Sequence, residues 1–245
     1  MGGVEPLMVS TIMATVRERR PRVHCLTNHV ARAFTANVLL AIGAVPSMSA
    51  DAEEIAEFVA GSEALLVNLG TLDAAMKTAI GIAVDTAAGC NLPVVLDPVF
   101  ADRSELRSGF ARQLLRRSPT AIRCNGSEAQ ALGEVALEDA VRAGTIVALT
   151  GPIDRVTASD RTMEIEGGHP LMASVTAIGC ALGAVTAACL STEAERFDAV
   201  AAACGLFKLA GSRAGAGSSG PGTFVPAFLD ALHAVSQGRE AEDDG

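Results

Sequence analysis

The sequence predicts an α/β protein in which a central, mostly parallel β-sheet carries helices on both faces. Short continuous apolar runs, such as ALLVNL and PVVLD, alternate with longer helical patterns over the first 150 residues. A strand that is apolar throughout is buried on both sides, the condition of a parallel sheet covered by helices. Composition agrees, with 49% hydrophobic residues, 3% aromatics and neither Trp nor Tyr. Small aliphatic side chains of this kind let helices pack closely on a sheet.

Strands are expected at 22–27, 44–49, 63–69, 93–97, 120–124 and 145–150, where apolar runs are bounded by turn residues. Helices are expected between them, at about 31–43, 51–60, 72–90, 105–117 and 127–143. Asp51, with Glu54 three positions on, reads as a capping box for the second of these. After residue 150 the pattern changes. DRVTAS and RTMEIEG read as an antiparallel edge hairpin turning at Ser159–Asp160. Three helices then follow, one starting around Cys180, one at about 195–213 and one at about 223–236. With no Pro- or Ser-rich linker and no internal repeat, residues 1–237 read as a single domain. Residues 238–245, which are mostly charged, read as a disordered tail.

A net charge of −9 argues against nucleic acid or an anionic membrane as partner. No apolar run is long enough to span a bilayer. The six cysteines (25, 90, 124, 180, 189 and 204) contain no CxxC pair. Glu5 precedes the basic cluster of Arg17 to Arg22, the wrong order for a secretory leader. Reduced thiols in a cytoplasmic protein are the expectation.

Ligands of such sheets bind at the carboxyl ends of the strands. Here those ends carry Thr27–Asn28, Met48, Gly70–Thr71, Asp97, Asn125 to Glu128 and Thr150–Gly151. Asp97 ends a buried strand and is a candidate ligand for Mg²⁺, which takes few protein oxygens; the alternative is a carboxylate capping its own turn. In Asn125-Gly-Ser-Glu128, Asn125 or Ser127 can cap a helix with Glu128 in its first turn. On a functional reading Glu128 is a second carboxylate near the metal and Arg123 a contact to nucleotide phosphate. Thr150-Gly-Pro offers a hydroxyl to a nucleotide, or is plain turn punctuation.

The run TAIGCALGAVTAA (176–188) brings a small-residue turn into an apolar helix. Amides at such a helix start lack intrahelical acceptors and bind phosphate well. Cys180 sets an ionisable group beside that anion site, with its pKa lowered by the helix end and raised by approaching phosphates. GAGSSG (215–220) matches GxGxxG but follows a helix, so the dinucleotide reading fails. His24, His29 and His169 lack metal-ligand spacing and read as satisfied or surface imidazoles. A thiol hydrolase would need one of them beside Cys180, and would leave Asp97 and Glu128 without a role.

Taken in order, VHCLTNHVARAFTANVLLAIGAVPSMS, ALLVNLGTL, VVLDPV, AIRCNGSEAQAL, VALTGPIDRVT, GGHPLM, GCALGAVTAAC and GPGTF span nearly the whole chain. By these segments it resembles the hydroxyethylthiazole kinases, thiamine-salvage members of the ribokinase-like superfamily. GGHPLM beside GCAL, with TN…FTAN, is the specific part. The resemblance implies a ribokinase-like fold and Mg-ATP-dependent phosphorylation of 4-methyl-5-(2-hydroxyethyl)thiazole by a homotrimer with its thiazole pocket between subunits. It also implies that Asn28, Met48, Gly70 and Ala177 line that pocket. Arg123, Thr150 and Gly179 then serve ATP, Asp97 and Glu128 serve magnesium, and Cys180 stands where most of the superfamily has an aspartate base. Three departures bear on rate and substrate. The family's GTGC is Ala177-Ile178-Gly179-Cys180, its Gly-rich segment after DPV is Phe100-Ala101-Asp102, and Cys124 replaces a Gly. A kinase of another small alcohol, such as hydroxymethylpyrimidine, and a relative that binds without turnover are the alternatives.

Overall fold

The computed structural model describes residues 6–238; apart from Gly238, the expected tail lies outside the described residues. Helix α1 (Pro6–Arg19) leads into β1 (Arg22–Leu26), α2 (Arg32–Ala41), β2 (Val45–Ser47), α3 (Ile55–Ala60), β3 (Ala64–Asn68) and α4 (Ala74–Gly89). There follow β4 (Val94–Asp97), α5 (Glu105–Leu115), β5 (Ala121–Asn125), α6 (Gly126–Leu132), α7 (Glu134–Arg142) and β6 (Ile146–Thr150). The hairpin β7 (Asp154–Thr157) and β8 (Thr162–Ile165) precedes α8 (Ile178–Leu190), α9 (Arg196–Ala216) and α10 (Pro221–Ser236).

The strands form one sheet in the order β2-β1-β3-β4-β5-β6-β7-β8. It is parallel from β2 to β6, and only the expected hairpin runs antiparallel. Helices cover both faces. One apolar layer joins Val9 and Met13 of α1 and Val38 of α2 to α8, α9 and α10. The other joins Val59 of α3, Ile80 of α4, Leu115 of α5 and Leu132 of α6. The strand order reverses between β1 and β3, and a crevice opens at such a switch point. Gly183 seats α8 against the middle of the sheet: a β-carbon there would lie 3.0 Å from a Leu66 methyl. That close approach brings the start of α8 to the carboxyl rim. Among the described residues no helix is long and apolar enough to cross a membrane.

Three local expectations are corrected. Helix α1 precedes the predicted alternation, and its buried Val9, Ile12, Met13 and Val16 carry the i, i+3, i+4, i+7 stripe that marks an amphipathic helix. The Asp51–Glu54 capping box does not form. Asp51 instead accepts the Glu53 amide in a local turn, Glu54 bonds the Ser49 hydroxyl, and α3 begins only at Ile55. The helix expected at 127–143 is two helices, parted at Gly133, whose φ of +92° a helix cannot contain.

Candidate active site

A cleft of about 900 Å³ opens along the rim, lined among others by Asn28, Gly70, Arg123, Glu128, Thr150, Ala177, Gly179 and Cys180. Helix α8 enters it uncapped. Ala177 has no side-chain cap to offer, and the first helical bond runs from the Ala181 amide to the Ala177 carbonyl at 2.9 Å. The amides of Ile178, Gly179 and Cys180 are thus left without intrahelical acceptors, a ready anion site. Ala177 holds φ +70°, a left-handed conformation that disfavours any side chain. The Ile178 side chain is 9% exposed and packs into the apolar layer, and Ile178 also lines the cleft beside the anion site.

Gly179 owes its place to Arg123. A β-carbon at Gly179 would fall 2.5 Å from Nη2 of the guanidinium, so only glycine lets the helix start lie on that plane. Arg123 is the hub of the charged groups. Its Nη2 donates to the Thr150 hydroxyl at 2.8 Å, while Nη1 lies 3.4 Å from Asp97 and 3.9 Å from Glu128. Burial opposes its charge, but Asp97 and Glu128 more than offset this and hold its pKa up. Its Nε is buried with no protein partner.

Glu128 closes a reciprocal capping box at the start of α6. Its amide donates to Asn125 Oδ1 at 2.9 Å, and its Oε2 accepts the Asn125 amide at 2.9 Å. Its Oε1 accepts the Phe100 amide at 3.3 Å, which ties the loop after β4 to the cleft. Asp97 is fully buried beneath the rim. Burial raises its carboxyl to about 6 despite Arg123, with the Glu128 charge adding to the rise.

Asn68, absent from the sequence expectations, organises the other end. It donates to Asp97 at 2.7 Å, and its Oδ1 accepts from Asn28 Nδ2 at 3.1 Å and from the Gly70 amide at 3.0 Å. The available signal was a polar residue ending an otherwise apolar strand, in register with Asp97. Asn28 also donates to Cys180 Sγ at 3.4 Å. Gly70 leaves room for Asn28, since a β-carbon there would sit 2.5 Å from that of Asn28. The Cys180 thiol is pushed up to about 12, first by burial and then by the Asp97 charge, against the expected lowering at a helix start.

Nine of the ten expected site residues therefore gather on or directly beneath one cleft. Met48 does not line it; it follows edge strand β2 and packs against the apolar layer. Asp102 pairs with Arg103 at 3.1 Å and is not among the cleft-lining residues, so its charge is neutralised away from the anion site. His24 is satisfied between Ser47 Oγ (2.8 Å) and the Ser49 carbonyl (2.9 Å), and His29 is exposed. His169 accepts the Leu171 amide at 3.2 Å.

The donor set suits a hard divalent cation. Asp97 and Glu128 place two carboxylates against the single Arg123 charge, which leaves an excess of negative charge. Among the described residues no three His, Cys, Asp or Glu side chains cluster for a metal. Such an ion would complete its shell with water and phosphate oxygens, as magnesium does.

The model of the hydroxyethylthiazole kinase family matches residues 13–139 and 130–238. Hydroxyethylthiazole kinase of Cronobacter sakazakii is 43% identical over 246 residues, covering 93% of each chain. That of Escherichia coli is 44% identical over 239 residues, covering 90% of this chain and 91% of its own. A solved hydroxyethylthiazole kinase from Pyrococcus horikoshii superposes with a TM-score of 0.87 at 34% identity over 93% of both chains. A ribokinase-like protein of Enterococcus faecalis shares the fold, with a TM-score of 0.67 at 14% identity.

Proposed function

We propose that this chain, which belongs to the hydroxyethylthiazole kinase family, transfers the γ-phosphoryl group of ATP to 4-methyl-5-(2-hydroxyethyl)thiazole in thiamine salvage. What carries the reading is the meeting, in one cleft, of an uncapped helix start with the Arg123, Thr150, Asp97 and Glu128 cluster. The alcohol oxygen bonds to the γ-phosphorus as the bond to the β–γ bridging oxygen breaks, and ADP leaves with that electron pair. Charge spreads over the three equatorial oxygens, so positioning and electrostatics supply most of the acceleration.

Arg123 and Thr150 bind the nucleotide, and the amides of Ile178, Gly179 and Cys180 receive the moving phosphoryl group. Asn28, Gly70 and Ala177 hold the thiazole. Asp97 and Glu128 would hold magnesium, which would supply positive charge against the triphosphate. Cys180 is a poor general base in its resting state, because burial keeps it a thiol. It contributes by filling the wall beside the anion site and by accepting from Asn28. The alcohol proton departs late in a loose transition state, to water or a phosphoryl oxygen, so a strong base is not required.

In this reading the working form is a cytoplasmic homotrimer, with Met48 turned to a neighbour's cleft; its position off the cleft of its own chain supports that. Coupled ADP-release assays with the thiazole alcohol and with hydroxymethylpyrimidine test the assignment. Turnover of the first over the second is expected. Tight binding of the alcohol and ATP with no ADP formed would overturn it in favour of a binding protein. Light scattering tests the trimer, and a monomer that turns over at full rate would refute it.

A further inference from the structure

Lys208 lies in the middle of α9, on an apolar face, and is 6% exposed. An ammonium has three N–H donors and no acceptor. Here all three are engaged by protein: the Gly151 carbonyl at 2.7 Å, the Pro152 carbonyl at 2.9 Å and Asp154 Oδ1 at 3.2 Å. Asp154 closes the ring by accepting the Gly151 amide at 2.9 Å. The turn that follows Thr150 is therefore pinned at both carbonyls and at one amide. Lys208 lines the cleft yet has no proton left for a phosphate, unlike a lysine that binds its ligand directly.

The same residue fastens a second segment. The Gly168 amide donates to the Lys208 carbonyl at 3.0 Å and to Ser212 Oγ at 2.9 Å, and Ser212 donates back to the Gly168 carbonyl at 3.2 Å. Gly167 and Gly168 have φ of +106° and +82°, and a β-carbon at Gly168 would touch the lysine stem at 3.3 Å. One residue of α9 thus joins the 150–154 turn and the 167–169 segment, both of which wall the cleft. The turn it fixes begins at Thr150, whose hydroxyl receives Arg123.

We propose that Lys208 is a positioning residue that locks these two segments to α9, so that ATP meets Thr150 and Arg123 in a preset geometry. The proposal rests on the assignment of that end of the cleft to ATP. Groups that hold a binding residue in place contribute affinity by fixing its geometry before the ligand arrives.

Calorimetric titrations with Mg-ATP, and separately with the thiazole alcohol, test this on wild type, Lys208→Met and Asp154→Asn, with urea denaturation alongside. Methionine keeps the stem and removes the three bonds. Lys208→Met is expected to weaken ATP binding by about tenfold or more, the scale seen when a group that orients a ligating residue is lost. Binding of the alcohol should stay within about twofold, however far stability falls. Asp154→Asn keeps an acceptor for Gly151 and should weaken ATP binding a few-fold; it decides the matter if Lys208→Met does not fold. Unchanged ATP affinity, or equal loss for both ligands, would overturn the proposal and leave Lys208 a purely structural residue. Because binding is read without turnover, a wild type that binds ATP but forms no ADP sinks the kinase reading and leaves this test standing.

Discussion

Replacing Asp97 with asparagine should separate stability from activity. Burial lifts this carboxyl from 3.8 to about 6, although Arg123 lies 3.4 Å away and Asn68 donates at 2.7 Å. A carboxyl raised that far is harder to ionise in the folded protein than in the unfolded chain by about 3 kcal/mol. The folded pKa lies above the unfolded one, so protonation stabilises the fold. The gain is complete below about pH 4, about 1.4 kcal/mol of it is present at pH 5, and almost none remains at pH 7.5. Asparagine imitates the neutral acid at every pH. Its amide nitrogen must face Arg123 or Asn68, both donors, which returns about 1–2 kcal/mol. Loss of a buried pair is usually severe because a charge is stranded, but Arg123 keeps Glu128 at 3.9 Å. Urea denaturation of the metal-free protein should find Asp97→Asn more stable than wild type by about 1–2 kcal/mol at pH 7.5, with the margin shrinking by about 1.4 kcal/mol at pH 5. Turnover should fall by about 10²-fold or more, since misplacing the reacting groups alone costs that much. A variant more than about 2 kcal/mol less stable than wild type, or a margin that ignores pH, would show that the pairing outweighs desolvation.

With its thiol held near 12, Cys180 is no base, so Cys180→Ala should lower kcat by less than about 10²-fold; a loss of about 10²–10⁴-fold, the scale of a lost general base, would refute that reading. Iodoacetamide at pH 7.5 should label exposed Cys90 well before Cys180, and the reverse order would mean that Cys180 is a resting thiolate. Ala177→Gly relieves the left-handed alanine and should add about 0.5–1 kcal/mol in denaturation, after the looser unfolded chain is counted; a loss would show that the Ala177 methyl packs too well to remove. Gly179→Ala drives a methyl into Arg123 and should raise the KM for ATP by about tenfold or more and lower the melting temperature; wild-type kinetics and melting would mean that the guanidinium moves aside at no cost.

Much of the site was legible because its residues end strands. The place of Asp97 at the end of VVLD, of Asn125 before α6 and of Thr150 at the end of IVALT follows from apolar runs that stop at a polar residue. Asn68 obeys the same rule and shows its role only once β3 is paired with β4. Lys208 could not be read as a clamp from the sequence, because its acceptors lie more than fifty positions away, on the turn after β6. The Asp51–Glu54 box failed because local spacing is shared by turns and helices, and Ser49 competes for the glutamate.

Residue order alone determined the alternation of strand and helix, the burial of the sheet on both faces and the carboxyl rim as the place for chemistry. These are consequences of periodicity and of where apolar runs end, and both can be read locally. Three-dimensional packing decided the ionisation of Asp97 and Cys180, the left-handed turn at Ala177 and the absence of Met48 from the cleft of its own chain. Each of these depends on how much water, charge and space distant segments leave around an atom, which no stretch of sequence carries by itself.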